Sequence, residues 1–308
     1  MPDEQRLMTV MRKEQSISSL IEGVSYTGLK NLRPTDLSLC SVCSVTSDSR
    51  DVTTKTLFVA LEGVGVDGHS FIENAIGSGA DFVGGASGKL DDYAVAYPQV
   101  GFVEVENTYA AYASVAANFF GNPAKELVLA AVTGTNGKTT VTYIVEDILK
   151  EAGLSVGGVG TVNNRYTVKG GVTTYLPTRF TTPEAYSLQA VLREMKDNGV
   201  DYVIMEVSSH ALAQSRVGTI QFQVAAFTNL SRDHLDYHEG MDDYFQAKMC
   251  LFSDHLASKA TAVLPTVEKT DEVATKILQL YEYCKKNMVS ILSWGTGSDA
   301  GVRLLSHK

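Results

Sequence analysis

The chain has 308 residues, 44% of them apolar, and a formal net charge of −9. That length suits two domains rather than one, and the acidic balance argues against a nucleic-acid partner held by broad electrostatics while leaving room for a local anion site. No apolar run approaches the roughly 20 residues of a membrane helix, Met1–Lys13 lacks the apolar core of a signal peptide, and four cysteines in a chain this long read as reduced thiols, so a cytoplasmic protein without membrane insertion is expected.

The pattern from about residue 15 to 124 alternates short strands and helices. Cys40-Ser-Val-Cys43 has CxxC spacing, but no second pair or histidine pair completes a zinc site, so a buried or incidental pair stands against metal or redox use. Thr56 to Leu61 predicts a strand, Glu62 to Gly68 a glycine-bearing loop, Ser70 to Ser78 a helix and Asp81 to Gly84 a strand. Tyr109 to Phe120 has helical periodicity and stops at Gly121-Asn122-Pro123, which also reads as the linker to a second domain. In that domain, 125–308, nearly continuous apolar runs at Leu127–Val132, Val200–Val207 and Val224–Leu230 predict core strands. Helical patterns lie between them, Asp243 to Phe252 reads as a further helix and Ser290 to Trp294 as a late strand. The predicted class is α/β, a small N-terminal α/β domain (15–124) followed by a domain with a mostly parallel sheet (125–308).

The chemistry concentrates after the first of those core strands. Gly134-Thr135-Asn136-Gly137-Lys138-Thr139-Thr140 separates Leu127–Val132 from an apolar stripe at helical spacing, Val141, Ile144, Val145, Ile148 and Leu149. A strand, a glycine turn and a helix N-terminus make a phosphate cradle: backbone N–H groups and the helix dipole favour the anion, Lys138 adds a mobile positive charge, and Thr139 can place a hydroxyl on magnesium. The usual P-loop pattern has a glycine where Val132 stands, so Gly134 must make the turn.

In open α/β sheets the site lies at the carboxyl ends of the strands. Glu206 ends an apolar strand, where an unpaired carboxylate is costly; it reads as a magnesium ligand or as a glutamate paired to a base. Asp233, His234, Asp236 and His238 follow another core strand and read as metal or substrate groups or as a solvated loop. Lys248, between Ala247 and Met249, reads by itself as a surface lysine.

Taken together these segments resemble the Mur ligases. Ser47-Asp-Ser-Arg50, Gly134 to Thr140, Thr181-Thr-Pro183, Glu206-Val-Ser-Ser-His210, Asn229 to His238 and Tyr244-Phe-Gln-Ala-Lys248 occur in the family's order, from about residue 20 to the end of the chain. The combination is similar to the branch that adds the third residue of the peptidoglycan peptide. The resemblance implies an ATP- and magnesium-dependent ligase joining a diamino acid, meso-diaminopimelate or L-lysine, to UDP-N-acetylmuramoyl-L-alanyl-D-glutamate through an acyl phosphate. It implies that Gly134, Thr135, Asn136, Gly137, Lys138, Thr139 and Thr140 hold ATP, that Thr139 and Glu206 bind one magnesium and His234 a second, and that Lys248 takes up carbon dioxide as a carbamate near that second ion. Thr181, Thr182, Ser208, Gln214 and Arg216 match positions on the diphosphate and muramoyl part of the substrate. Ser49, with Ser47 and the Val64-Gly65-Val66 loop, matches the uridine site of a UDP-binding first domain.

The family also carries a third, C-terminal Rossmann-like domain that holds the amino acid, and this chain is expected to lack it and to be C-terminally incomplete. A fragment, a truncated non-catalytic nucleotide-binding paralogue and a protein completed by another chain are the readings of that difference. A folylpolyglutamate synthetase-like ligase shares the ATPase domain, but its lineage has no Ser47-Asp-Ser-Arg50 uridine domain. The resemblance implies a monomer.

Overall fold

The computed structural model describes residues 14–63, 65–267 and 271–305. Met1–Lys13 and Val64, on which the signal-peptide reading and part of the uridine loop fall, lie outside the described residues. No helix among the described residues is long and apolar enough to cross a membrane. The structure is mixed α/β and divides into two compact units. The division follows contacts rather than chain order. The first unit runs to Pro123 and also takes in Ala185–Arg193 and Gln214–Thr219; the second comprises Ala124–Glu184, Glu194–Ala213 and the chain from Ile220 on.

In the first unit a short ladder joins β1 (Gln15–Ser16) to β3 (Ser41–Val42). The main sheet has five strands: β2 (Tyr26–Lys30), β4 (Ser44–Thr46), β5 (Thr56–Val59), β6 (Ala80–Ala86) and β7 (Gly101–Val105), in the order β2-β7-β6-β5-β4. All pairs are parallel except β2–β7 at one edge. Side chains on β5 alternate between two cores: Leu57 and Val59 pack with Phe82, Tyr112, Val115 and Phe119, while Phe58 packs on the other face with Ile72, Val83, Leu90 and Phe102. A sheet covered on both faces explains why β5 is buried along its whole length and β6 along nearly all of it. The helix Thr108–Phe119 starts where the Asn107 side chain accepts the Ala110 N–H. It ends with Gly121 and Asn122 at φ 70° and 55°, the Asn122 N–H reaching back to the Ala117 carbonyl before Pro123. The helix expected at Ser70–Ser78 begins earlier and in two parts, a 3₁₀ turn Gly68–Phe71 and the α-helix Ile72–Gly77, because the Asp67 carboxylate accepts the His69 N–H and sets the start there.

The second unit holds a nine-stranded sheet. Its strands are β8 (Val128–Thr133), β9 (Val156–Val159), β10 (Asn164–Thr167), β11 (Thr174–Leu176), β12 (Tyr202–Glu206), β13 (Phe222–Phe227), β14 (Leu256–Pro265), β15 (Ser290–Gly295) and β16 (Val302–Arg303), ordered β11-β10-β9-β12-β8-β13-β14-β15-β16. From β9 to β16 every pairing is parallel; β10 and β11 add an antiparallel margin. The predicted late strand is β15, and it is not an open edge along its whole length, since Trp294 and Gly295 pair with β16.

The helix Lys138–Glu151 packs Val141, Val145 and Leu149 against Val132, Val156 and Ile204. Each such side chain, once covered, contributes roughly 1.5–3 kcal/mol. Ile144 and Ile148, read from the sequence as part of the same stripe, face solvent at 55% and 60% exposure. The buried face turns instead through Thr142 and Glu146. Glu146 lies fully buried between Lys150 Nζ and Arg165 NH2, each at 2.5 Å, and the Arg165 guanidinium lies 3.4 Å from the centre of the Tyr143 ring. This cluster ties the helix to β10.

Removing one member of a buried ion pair leaves the other charge uncompensated, which typically costs about 3–5 kcal/mol, whereas replacing both with apolar groups of similar volume costs far less. Arg165→Met leaves Glu146 with Lys150 alone and should lower the unfolding free energy by up to about 3 kcal/mol, and the double variant Glu146→Leu/Arg165→Met should recover most of it, measured by urea denaturation.

Candidate active site

The carboxyl ends of β8, β9, β12 and β13 lie side by side because these strands are parallel neighbours in the order β9-β12-β8-β13. Each ends in a segment bearing polar residues: Gly134–Thr140 after β8, Gly160-Thr161 after β9, Glu206 and Ser208 at and after β12, and Thr228-Asn229 after β13.

The loop after β8 is set by two glycines. Gly134 has φ 137°, and a Cβ there would collide with the Thr228 hydroxyl; Gly137 has φ 85° and sits at the N-cap of the helix that Lys138 begins. Thr228 and Asn229 hold the loop from the side. The Thr135 N–H donates to the Asn229 carbonyl (2.9 Å), the Asn136 N–H to Asn229 Oδ1 (2.9 Å), and the Thr228 hydroxyl and Asn229 amide donate to the Asn136 carbonyl (2.7 and 3.0 Å). No side chain caps the helix start. The first-turn N–H groups around Lys138, Thr139 and exposed Thr140 therefore have neither an intrahelical partner nor a side-chain cap, the arrangement that accepts an anion.

Two lysines converge on this loop. Lys138 Nζ donates to the carbonyls of Gly134 (3.0 Å) and Thr135 (2.9 Å), and Lys248 Nζ donates to the same Gly134 carbonyl at 3.0 Å. Burial lowers the Lys138 pKa, against the pull of Glu206 and Asp233. Lys248 is 1% exposed, on the helix Met241–Ser253, with its Nζ 4.3 Å from the centre of the Tyr244 ring. Burial first, and the charge of Lys138 second, bring its pKa down to about 7, with Asp233 opposing. The surface-lysine reading of Lys248 is thus corrected. Its periodicity misleads because this helix is covered on several sides, burying Tyr244, Phe245, Ala247, Leu251 and Phe252 as well.

Glu206 is 1% exposed. Its Oε2 accepts the hydroxyls of Thr139 (2.8 Å) and Thr161 (2.9 Å), and its Oε1 accepts the Thr161 N–H (3.1 Å). A Cβ on Gly160 would collide with Oε1, so the chain passes close enough to present that N–H only because residue 160 is glycine. The paired-to-a-base reading of Glu206 gives way: its hydrogen-bond partners are hydroxyls and an amide. The Thr182 hydroxyl donates to the Glu206 carbonyl (2.9 Å) and accepts the Ser208 N–H (3.1 Å), while the Thr161 hydroxyl also faces Thr181 Oγ1 at 3.0 Å. The structure thereby joins Thr139, Glu206, Thr181, Thr182 and Ser208 into one network.

His234, at φ 53° and exposed, sits with Asp233 (3.6 Å) and has its ring 4.9 Å from that of His210 and 6.0 Å from that of Tyr244. His238 is buried between Asp243 and the Ser209 hydroxyl, both at 2.9 Å, so it packs structurally rather than lying in a solvated loop. Among the described residues no three His, Cys, Asp or Glu side chains converge to hold a metal. The donor set at Glu206 and Thr139, a carboxylate and a hydroxyl 2.8 Å apart beside an anion cradle, nonetheless fits magnesium, which takes one or two protein oxygens and completes its shell with phosphate and water.

The remaining expected substrate residues lie in the first unit. Ser47 and Ser49 are half-buried just after β4, with Ser49 opening a 3₁₀ turn capped by Asp48. Arg216 donates through Nε and NH2 to Gln214 Oε1 at 2.9 and 2.7 Å. Thr161 and Gly160 were not among the residues the sequence singled out. The available signal was the glycine-bearing apolar run Val156 to Gly160 ending in a threonine, read alongside a second carboxylate-bearing strand end.

Residues 132–301 match the Mur ligase middle domain and residues 41–120 match the Mur ligase family catalytic domain. A relative from Caldanaerobacter subterraneus subsp. tengcongensis, named UDP-N-acetylmuramoyl-L-alanyl-D-glutamate–2,6-diaminopimelate ligase, is 43% identical over 222 residues, which is 72% of this chain and 44% of the relative. One of the same name from Bacillus velezensis is 39% identical over 267 residues, 85% of this chain and 50% of the relative. The chain spans about half the length of the curated relatives it matches. A solved structure titled as a ligase of that name superposes with a TM-score of 0.71 at 24% identity, covering 94% of this chain and 54% of the other, and shows the same fold.

The depressed pKa of Lys248 has a consequence for stability. Below pH about 7 the lysine is charged folded and unfolded, and the cost of burying the charge is whole; between about 7 and 10.5 the folded state binds fewer protons than the unfolded one, so the cost fades as pH rises. Stability is lost as pH falls through that window. In carbon dioxide-free buffer, the gain in unfolding free energy from Lys248→Met should be larger at pH 6 than at pH 9 by roughly 2–3 kcal/mol, measured by denaturant titration.

Proposed function

The chain belongs to the Mur ligase family, and from that premise we propose that it serves ATP-dependent ligation of 2,6-diaminopimelate to UDP-N-acetylmuramoyl-L-alanyl-D-glutamate, a step of peptidoglycan synthesis. The relatives' names support that pair of substrates over L-lysine as the amine. The observation that carries the reading is the buried Glu206 carboxylate held by Thr139, on the first turn of the helix that Lys138 opens, and by Thr161. The match of residues 41–120 to the Mur ligase family favours this reading over a folylpolyglutamate synthetase-like ligase.

In the reaction a substrate carboxylate takes the terminal phosphoryl group of ATP, and an amine then displaces phosphate from the acyl carbon. The chain's work is positioning and charge neutralisation. The N–H groups of the Gly134–Thr140 loop hold the phosphates. Lys138, now spent on the Gly134 and Thr135 carbonyls, turns outward to the β- and γ-phosphate oxygens. Thr139 and Glu206 offer oxygens to magnesium, which when bound neutralises charge on the phosphates; His234 is the residue for a second ion. Lys248 is suited to carbamylation: its amine is half neutral near pH 7, so Nζ bonds to the carbon of carbon dioxide, releases a proton and becomes an anion. Thr181, Thr182, Ser208, Ser47, Ser49, Gln214 and Arg216 are assigned to the nucleotide substrate. Arg216 to an anionic group contributes about 1.5–3 kcal/mol.

Calorimetry with UDP-N-acetylmuramoyl-L-alanyl-D-glutamate and with UDP-glucose tests the substrate assignment. The 308-residue chain is expected to bind the first at least about tenfold more tightly, and Arg216→Ala to lose about tenfold or more of that affinity. Equal binding of the two nucleotides, or binding of neither, would remove the assignment.

A further inference from the structure

We propose that Thr161 is a positioning residue that couples the cation side of the site to the nucleotide-substrate side, so that a magnesium nucleotide bound near Glu206 tightens binding at Thr181. The inference rests on the functional reading above and adds to it a residue and a direction of coupling.

A threonine hydroxyl has one proton to donate. The Thr161 hydroxyl faces two acceptors, Glu206 Oε2 at 2.9 Å and Thr181 Oγ1 at 3.0 Å, and can serve only one at a time. A hydrogen bond to a carboxylate is roughly twice as strong as one between neutral groups, so with Glu206 uncompensated the proton stays on Oε2. That oxygen is also the acceptor of the Thr139 hydroxyl, and both hydroxyls compete there with any cation. When a cation takes the Oε2 charge, the Thr161 proton is released to Thr181. Thr181 is then fixed as an acceptor, and donation into its oxygen polarises its own O–H, which becomes a better donor to an anionic ligand group.

The rest of the local structure leaves this rotation free. Thr161 is exposed, so its side chain turns without displacing a packed neighbour. Its backbone is held independently, because its N–H donates to Glu206 Oε1 whichever way the hydroxyl points. Neighbouring Thr182 is excluded from the same role. It is buried, and its hydroxyl donates to the Glu206 main-chain carbonyl and accepts the Ser208 N–H, groups that do not change with the charge on the carboxylate.

The test is binding linkage. The 308-residue chain is titrated with UDP-N-acetylmuramoyl-L-alanyl-D-glutamate by calorimetry, without and with a saturating magnesium complex of a non-hydrolysable ATP analogue. The wild type is expected to bind the dipeptide nucleotide at least about fivefold more tightly with the analogue present, and reciprocally. Thr161→Val keeps the shape and the backbone N–H but has no hydroxyl; its two affinities should agree within about twofold. Thr161→Ser should restore the coupling, which a purely steric role of the threonine methyl would not allow. Coupling of wild-type size in Thr161→Val, or wild type that binds both ligands without coupling, overturns the proposal and leaves the functional reading intact. Failure of the wild type to bind the dipeptide nucleotide at all overturns the functional reading and this inference with it.

Discussion

A carboxylate buried at the end of a parallel strand is the constraint around which the second unit is arranged. Glu206 cannot sit there without donors, since an unpaired buried charge is among the costliest features a fold can carry. The donors come from two elements: the Thr139 hydroxyl from the first turn of the helix after β8, the Thr161 amide and hydroxyl from the segment after β9. The parallel order β9-β12-β8 brings these ends together, and Gly160 removes the Cβ that would keep β9 at a distance. The same requirement fixes the helix Lys138–Glu151, whose buried face carries a second charged cluster, Glu146 with Lys150 and Arg165. Its apolar contacts orient the helix, and the Thr139–Glu206 bond holds its first turn at the site.

The loop between β8 and that helix is under the opposite pressure. It gathers positive charge, with Lys138 and Lys248 donating to one carbonyl oxygen. Two ammonium groups on one acceptor repel, and part of that repulsion appears as the depressed pKa of Lys248. An anion at the helix N-terminus would relieve it by drawing Lys138 away. A lysine able to shed its proton near neutral pH presents a neutral, nucleophilic amine beside this loop.

Much of this was legible in the sequence because strand, glycine turn and helix start each leave a local mark: the run Leu127–Val132, Gly134 and Gly137, and the apolar positions Val141, Val145 and Leu149. Glu206 was legible as a charge out of place at the end of an apolar run. Lys248 was not legible from its own helix, since burial there comes from neighbours on several sides, and only the order of motifs marked it. Thr161 left only the faint mark of a threonine after the glycine-bearing run Val156–Gly160, because its role depends on strand pairing, which brings together residues 45 positions apart. The strand Leu256–Pro265, the longest of the sheet, was missed because its alternation is broken. Phe222 pairs with Leu256 but Val224 with Thr261, and Lys259 between them takes φ 64°, the mark of extra residues bulging from the ladder. The exposure of Ile144 and Ile148 was equally hidden, because a helical stripe read from hydrophobicity alone does not register that Glu146 and Thr142 take the buried positions.

We propose that Glu206, held by Thr139 and Thr161, is where magnesium joins the nucleotide to this fold. The most direct measurement is ATP affinity as a function of magnesium concentration, for the wild type and for Glu206→Gln, which keeps the shape and one acceptor oxygen but loses the charge. The wild type should bind ATP more tightly as magnesium rises, and in Glu206→Gln most of that dependence should vanish while circular dichroism stays unchanged. A Glu206→Gln chain that folds and keeps the full magnesium dependence would show that magnesium is held elsewhere.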